Sequence, residues 1–199
     1  MLDKIKRLGS DTAIYGVSTI LGRFLTFLLT PVYANMLAPG ELGVVATVFA
    51  YIAFLNVVYG YGMESAYFKY AASKERGDDR QNFSIPFLSV LVSTVLFSGI
   101  LVLNASPVAA LARIPAGYDR LIWYSALILA TDAIAVVPFA VLRLERKAVR
   151  FASIRIAGIV VNVGLNILFL IRFRMGIEGI FLSNVISSGL LLLLLMPTI

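Results

Sequence analysis

The chain has no cysteine and no histidine. It can therefore form no disulfide, no thiolate nucleophile, no zinc site of the usual ligand type and no imidazole base, which removes most catalytic side-chain chemistry. Charge is also scarce. Only 14% of residues are Asp, Glu, Lys or Arg, where a soluble domain carries about 25%. Hydrocarbon takes their place: 60% of residues are hydrophobic and the mean hydropathy is +0.92. That balance excludes a water-soluble fold. The 199 residues divide more naturally into units of about 20 apolar residues, the length that crosses a hydrocarbon core about 30 Å thick.

Six apolar runs fit this description: 12–37, 42–67, 83–103, 121–142, 154–171 and 177–196. The sequence thus predicts an all-α, polytopic membrane protein built as a bundle of six transmembrane helices. Ala38-Pro39-Gly40-Glu41 is short and carries two helix breakers, so it reads as a tight hairpin turn between the first two spans. The connection from Lys69 to Asn82 is long and charged. Pro86 is expected in the first turn of the third span, where its missing N–H costs little. Asn104 to Arg120 contains Pro107, Pro115 and Gly117 and is expected to lie at the surface as a short amphipathic segment.

Lys and Arg set the orientation, because loops rich in them stay in the cytoplasm. With the N-terminus inside, the inner segments hold Lys4, Lys6 and Arg7, then Lys69, Lys74, Arg76 and Arg80, then Arg143, Arg146, Lys147, Arg150 and Arg155. The outer side holds Arg113, Arg120, Arg172 and Arg174. Both termini are therefore expected in the cytoplasm. The net charge of +6 reports this topology and contact with anionic membrane lipids, with no nucleic-acid partner required.

Ionisable groups at membrane depth are costly and mark functional sites. Arg23 falls near the middle of the first span, Asp132 at the middle of the fourth and Glu64 toward the inner end of the second. By helical rise, Arg23 and Asp132 share a depth. They either pair to fix the bundle or line a water-filled cavity in which Arg23 meets an anionic group, for which a guanidinium is suited by its planar fork. Glu64 is close enough to Lys69 to reach the interface. In the fifth span Arg155, Gly158, Asn162 and Asn166 recur at spacings that share one helix face. The two asparagines either bond a neighbouring helix or face a lumen. Ser89, Ser93, Thr94 and Ser98, and later Ser183, Asn184, Ser187 and Ser188, give surfaces for close helix packing. Pro31 and Pro138 predict kinks.

Several stretches resemble one family in this order: Gly22-Arg23-Phe24, Leu29-Thr30-Pro31-Val32-Tyr33, Leu37-Ala38-Pro39-Gly40-Glu41-Leu42-Gly43, Gly62-Met63-Glu64-Ser65-Ala66-Tyr67-Phe68, Leu142-Arg143-Leu144-Glu145-Arg146 and Gly176-Ile177-Glu178-Gly179. Together they resemble bacterial polysaccharide flippases, the polysaccharide-transport branch of the multidrug/oligosaccharidyl-lipid/polysaccharide exporter superfamily. The resemblance implies two helix bundles around a cavity in the bacterial inner membrane. It also implies alternating access that moves undecaprenyl-pyrophosphate-linked oligosaccharide between leaflets. Arg23, with Asn162 and Asn166, would then bind substrate. Asp132 and Glu64 would serve as counter-charges or as sites for a coupling cation, H+ or Na+, with no resident cofactor or metal. Such proteins usually have 12 to 14 spans, so this chain resembles their N-terminal lobe. A truncated chain, or a partner second lobe or homodimer, is the corresponding expectation. A multidrug exporter, a membrane-embedded polysaccharide-assembly enzyme and a structural membrane protein are the alternatives. Mid-membrane Arg23 disfavours the first, and the missing histidine and scattered acids disfavour the second.

The cysteine-free background makes the orientation directly testable. Ala116→Cys is expected to react with a membrane-impermeant maleimide on intact cells, and Glu145→Cys only after permeabilisation. The reverse pattern would invert the topology.

Overall fold

The computed structural model describes residues 14–17, 20, 24, 28–72 and 79–198. Among these residues every regular element is a helix, with no strand. The cause is the solvent: in hydrocarbon each backbone N–H and C=O must pair within its own segment, which only a helix achieves without a closed barrel. Most of the expected first span lies outside the described residues. Its last turns, 28–36, are helical and form α1. There follow α2 (Pro39–Gly60), α3 (Met63–Ala72), α4 (Asp79–Leu103), α5 (Ala105–Leu111), α6 (Arg120–Leu144), α7 (Ala148–Ile167) and α8 (Gly176–Leu195). A π turn, Leu168–Arg172, closes α7, and a 3-10 turn, Met196–Thr198, follows α8. Five segments are long and apolar enough to cross a membrane: Pro39–Ala71, Gln81–Leu103, Arg120–Leu144, Ala148–Arg172 and Gly176–Thr198.

The α1–α2 turn is built as its sequence implies. Pro39 begins α2, and the Ala38 N–H donates to the Glu41 carboxylate at 2.9 Å, so the helix start is capped by its own third residue. The expected surface segment after α4 contains α5, which buries Ala105 and Ala109 and leaves Leu111 84% exposed.

Three boundaries differ from expectation. The second span is interrupted: Tyr61 (φ 24°) and Gly62 (φ 77°) break it into α2 and α3, since α2 alone, 22 residues long, already reaches about 33 Å. The helix of the third span starts at Asp79, so Pro86 lies inside α4 and not in its first turn. The fifth begins at Ala148, so Arg155, grouped by sequence with the inner loops, sits about 10 Å up a transmembrane helix. Pro138 is accommodated within a continuous α6.

α6 is the hub. It contacts α2, α3, α4, α5, α7 and α8, and 61% of its apolar window is buried, against 17% for that of α4. Ser125, Ala126, Ala133, Ala135 and Ala140 are all buried on it; such small side chains let helix backbones approach closely where no hydrophobic drive operates between them. Glycines do the same for α8. A Cβ on Gly158 of α7 would stand 2.6 Å from Leu191 of α8, and one on Gly179 would stand 2.9 Å from the Phe169 Cβ. The end carrying Lys69, Arg143, Arg146, Lys147 and Arg150 is called the basic end below.

The Phe169 Cβ is fixed to its backbone and cannot swing aside. Gly179→Ala is therefore expected to cost about 1–3 kcal/mol by overpacking, only partly offset by about 1 kcal/mol of helix propensity. Gly189→Ala, which meets nothing within 4 Å, should leave stability unchanged or raise it. Thermal unfolding of the purified protein in detergent measures both, and equal melting temperatures would contradict the packing account.

Candidate functional site

Polar groups of α6, α7 and α8 form a column along the bundle. At the basic end, the Arg143 guanidinium on α6 pairs with the Glu64 carboxylate on α3 at 2.5 Å. Arg143 also lies over the rings of Phe68 and Phe151, 5.7 Å from each centroid. Higher on α7, the Arg155 guanidinium stacks 4.1 Å from the Phe139 centroid, with Phe151 at 5.7 Å. Phe139 and Phe151 themselves meet edge to face at 5.1 Å. The two like charges are thus set about a shared aromatic cluster, whose ring faces attract each cation by about 0.5–2 kcal/mol.

Asp132 stands midway along α6, about 18 Å from either end. Its carboxylate accepts a hydrogen bond from the Ser188 hydroxyl of α8 at 2.8 Å. Arg155 is near enough for its charge to act on Asp132, as Glu64 and Arg143 are to act on Arg155. Beyond Asp132 the column becomes neutral. The Asn162 amide donates to Ser187 at 3.0 Å. Asn166, 1% exposed, donates to the Asn162 carbonyl and side-chain oxygen at 2.9 and 3.2 Å and accepts from the Tyr33 hydroxyl of α1 at 2.9 Å.

The partners separate two kinds of member. Asn162 and Asn166 are tied into bonds that join α7 to α8 and α1, and both amide hydrogens of Asn166 are engaged within the protein. As placed, Asn166 joins helices. Glu64 reaches Arg143 and not Lys69, because α3 packs directly against α6. Arg155 differs from all of these: it is exposed, and among the described residues no carboxylate lies within 4 Å of it. Its helix face is nonetheless the inner one, shared with buried Phe151, Gly158 and Asn166. An uncapped guanidinium at this depth has to face water or an anion, since hydrocarbon solvates neither. Arg23 lies outside the described residues.

Residues 32–199 match the family model described as polysaccharide biosynthesis protein. The chain belongs to that family. No curated protein and no solved structure matches it. The matched segment contains Glu64, Asp132, Arg143, Arg155, Asn162 and Asn166, and Arg23 precedes it.

Sequence reasoning put Asp132 at the centre of a long apolar helix and the α7 stripe on one face, as the structure has them, but omitted Arg155 from the site. The signal was present: Arg155 shares the helical spacing of Gly158, Asn162 and Asn166. Proximity to Arg150 instead grouped it with the loop. Tyr33, which the sequence assigned no role of its own, is the partner of Asn166.

If the Asn166–Tyr33 bond joins α7 to α1, a double-mutant cycle of Asn166→Leu and Tyr33→Phe should give a coupling energy of about 0.6–1.7 kcal/mol in unfolding free energy, the range for membrane interhelical bonds. Strict additivity would show that the bond contributes nothing.

Proposed function

We propose that this protein takes part in moving a lipid-linked oligosaccharide, carried on undecaprenyl pyrophosphate, across the bacterial inner membrane by alternating access. The observation that carries the reading is Arg155: a residue exposed in part on a transmembrane helix, its guanidinium stacked on Phe139 and with no carboxylate in contact among the described residues. Such a group suits a pyrophosphate, whose oxygens accept bidentate, charge-assisted hydrogen bonds. Family membership supplies the polysaccharide context. Arg23, from its sequence depth, is assigned to the same anion pathway. Asp132 is the counter-charge that compensates Arg155 when no anion is bound, and the position on which H+ or Na+ would act. A second helical unit, in the same or another polypeptide, would close the cavity.

An exporter of organic cations is disfavoured, because the group left free is cationic while Glu64 and Asp132 are engaged by Arg143 and Ser188. The same engagement argues for transport over catalysis: neither carboxylate is free to act as acid or base on a substrate.

The test is complementation of a flippase-deficient strain, with the same substitutions made in parallel in a full-length relative. Loss of bonds to a charged group worth about 1.5–3 kcal/mol should make export by Arg155→Ala fall roughly tenfold or more at equal membrane level. Arg155→Lys should recover part of it, and Arg23→Ala should fall likewise. Unaltered glycan export by Arg155→Ala would remove this residue from the pathway.

A further inference from the structure

Away from the polar column, α3 and α4 diverge to leave a crevice of about 420 Å³ at the basic end. Three features of the chain shape it. The break at Tyr61–Gly62 frees α3 to leave the line of α2. At the base, the Tyr61 hydroxyl is bonded to Ser89 of α4 at 2.7 Å, which fixes the distance between the helices there. Pro86, buried in the α4 wall, has no N–H to give the Asn82 carbonyl, its partner four residues back.

The lining is graded along the membrane normal. Met63, Ala66, Ile85 and Pro86 make the deep walls, whereas Gln81, Asn82 and Tyr70 form the rim nearest the basic end. Among the described residues no acidic side chain lines it, and Lys69, exposed, follows on the last turn of α3. The carboxylate of α3, Glu64, is held on the other side by Arg143.

We infer that this crevice is a binding site for a glycerophospholipid of the leaflet at the basic end. An acyl chain lies on the Met63, Ala66 and Ile85 walls. The phosphate accepts from the Gln81 and Asn82 amides beside Lys69, and a headgroup ammonium or hydroxyl donates to the Asn82 carbonyl that Pro86 leaves open. The occupant follows from the solvent: a concave apolar surface within a leaflet is filled by lipid, and a polar rim at headgroup level selects which end of the lipid stands there. The site is separate from the transport reading, since it lies across α3 from Arg143 and uses none of the column.

The test is lipid retention. The protein is reconstituted in vesicles of phosphatidylethanolamine and phosphatidylglycerol, returned to detergent and weighed by native mass spectrometry. Wild type should keep a bound phospholipid. Ala66→Trp, which fills the crevice, should lose it, as should Gln81→Leu/Asn82→Leu, at an exposed and a half-buried position of the rim. Val92→Trp, 68% exposed elsewhere on α4, should keep it. Vesicles of phosphatidylcholine, whose headgroup has no donor, should give loss as well. Bare wild-type protein, retention by the rim variant equal to wild type, or equal retention from phosphatidylcholine would overturn the assignment.

Discussion

A polar side chain in hydrocarbon must find its partner inside the protein, and this requirement decides how the bundle is assembled. The carboxylate of Asp132 is at the middle of α6, where water is remote, and its hydrogen bond comes from Ser188 of α8. That bond fixes the rotation of α6 against α8. Asn162 to Ser187 fixes α7 against α8, and Tyr33 to Asn166 fixes α1 against α7. Apolar packing alone would leave these rotations loosely specified, because lipid tails solvate leucine as well as another helix does. The polar column is therefore the specification of the bundle as well as its candidate site.

Packing makes the column possible. The buried alanines of α6 and Gly158 of α7 bring the helix axes close enough for short side chains such as serine and asparagine to meet. A larger residue at Gly158 would press on Leu191 and move α8 away from the residues it bonds. The aromatic cluster has the complementary task. Phe139 and Phe151 pack edge to face beside the two guanidinium groups, and each cation lies over a ring face.

Apolar runs and loop charge made the membrane character, the tight α1–α2 turn and the short helix between α4 and α6 legible in the sequence. Depth was legible too: Asp132 is as central as its position in the fourth run implies. Rotation was not. Periodicity placed Asn162 and Asn166 on one face, but nothing in α7 alone says that α8 and α1 cover that face. The same limit assigned Glu64 to Lys69, a neighbour along α3, when the helix actually packs its Glu64 side on α6. The break at Tyr61–Gly62 escaped because the run was bounded by hydropathy, although Gly60 and Gly62 flank the break, and the conformation follows from where α2 reaches its full membrane length. Arg155 escaped for a different reason: it was counted with the inner charges at the very start of the fifth run as well as on the stripe of that run, whereas α7 begins at Ala148 and carries it further along the helix.

Under the transport reading, the difference between the two arginines of the column decides which can take part. An anion arriving at Arg143 would have to displace Glu64 from a direct ion pair and leave a carboxylate at the membrane edge without its cation, so the new pairing is offset by the rupture of the old one. Arg155 presents no such opposition. Its compensation comes through space from Asp132 and by stacking on Phe139, and neither must be broken for its N–H groups to meet phosphate oxygens. Asp132 keeps its bond from Ser188 throughout, but the approach of a second negative charge to Arg155 lowers the share of that cation's field available to it. The carboxylate is then the group at which uptake of a cation relieves the imbalance. On that reading, anion occupancy and cation uptake would be linked by electrostatics, with α6 and α7 as the two elements that carry the charges.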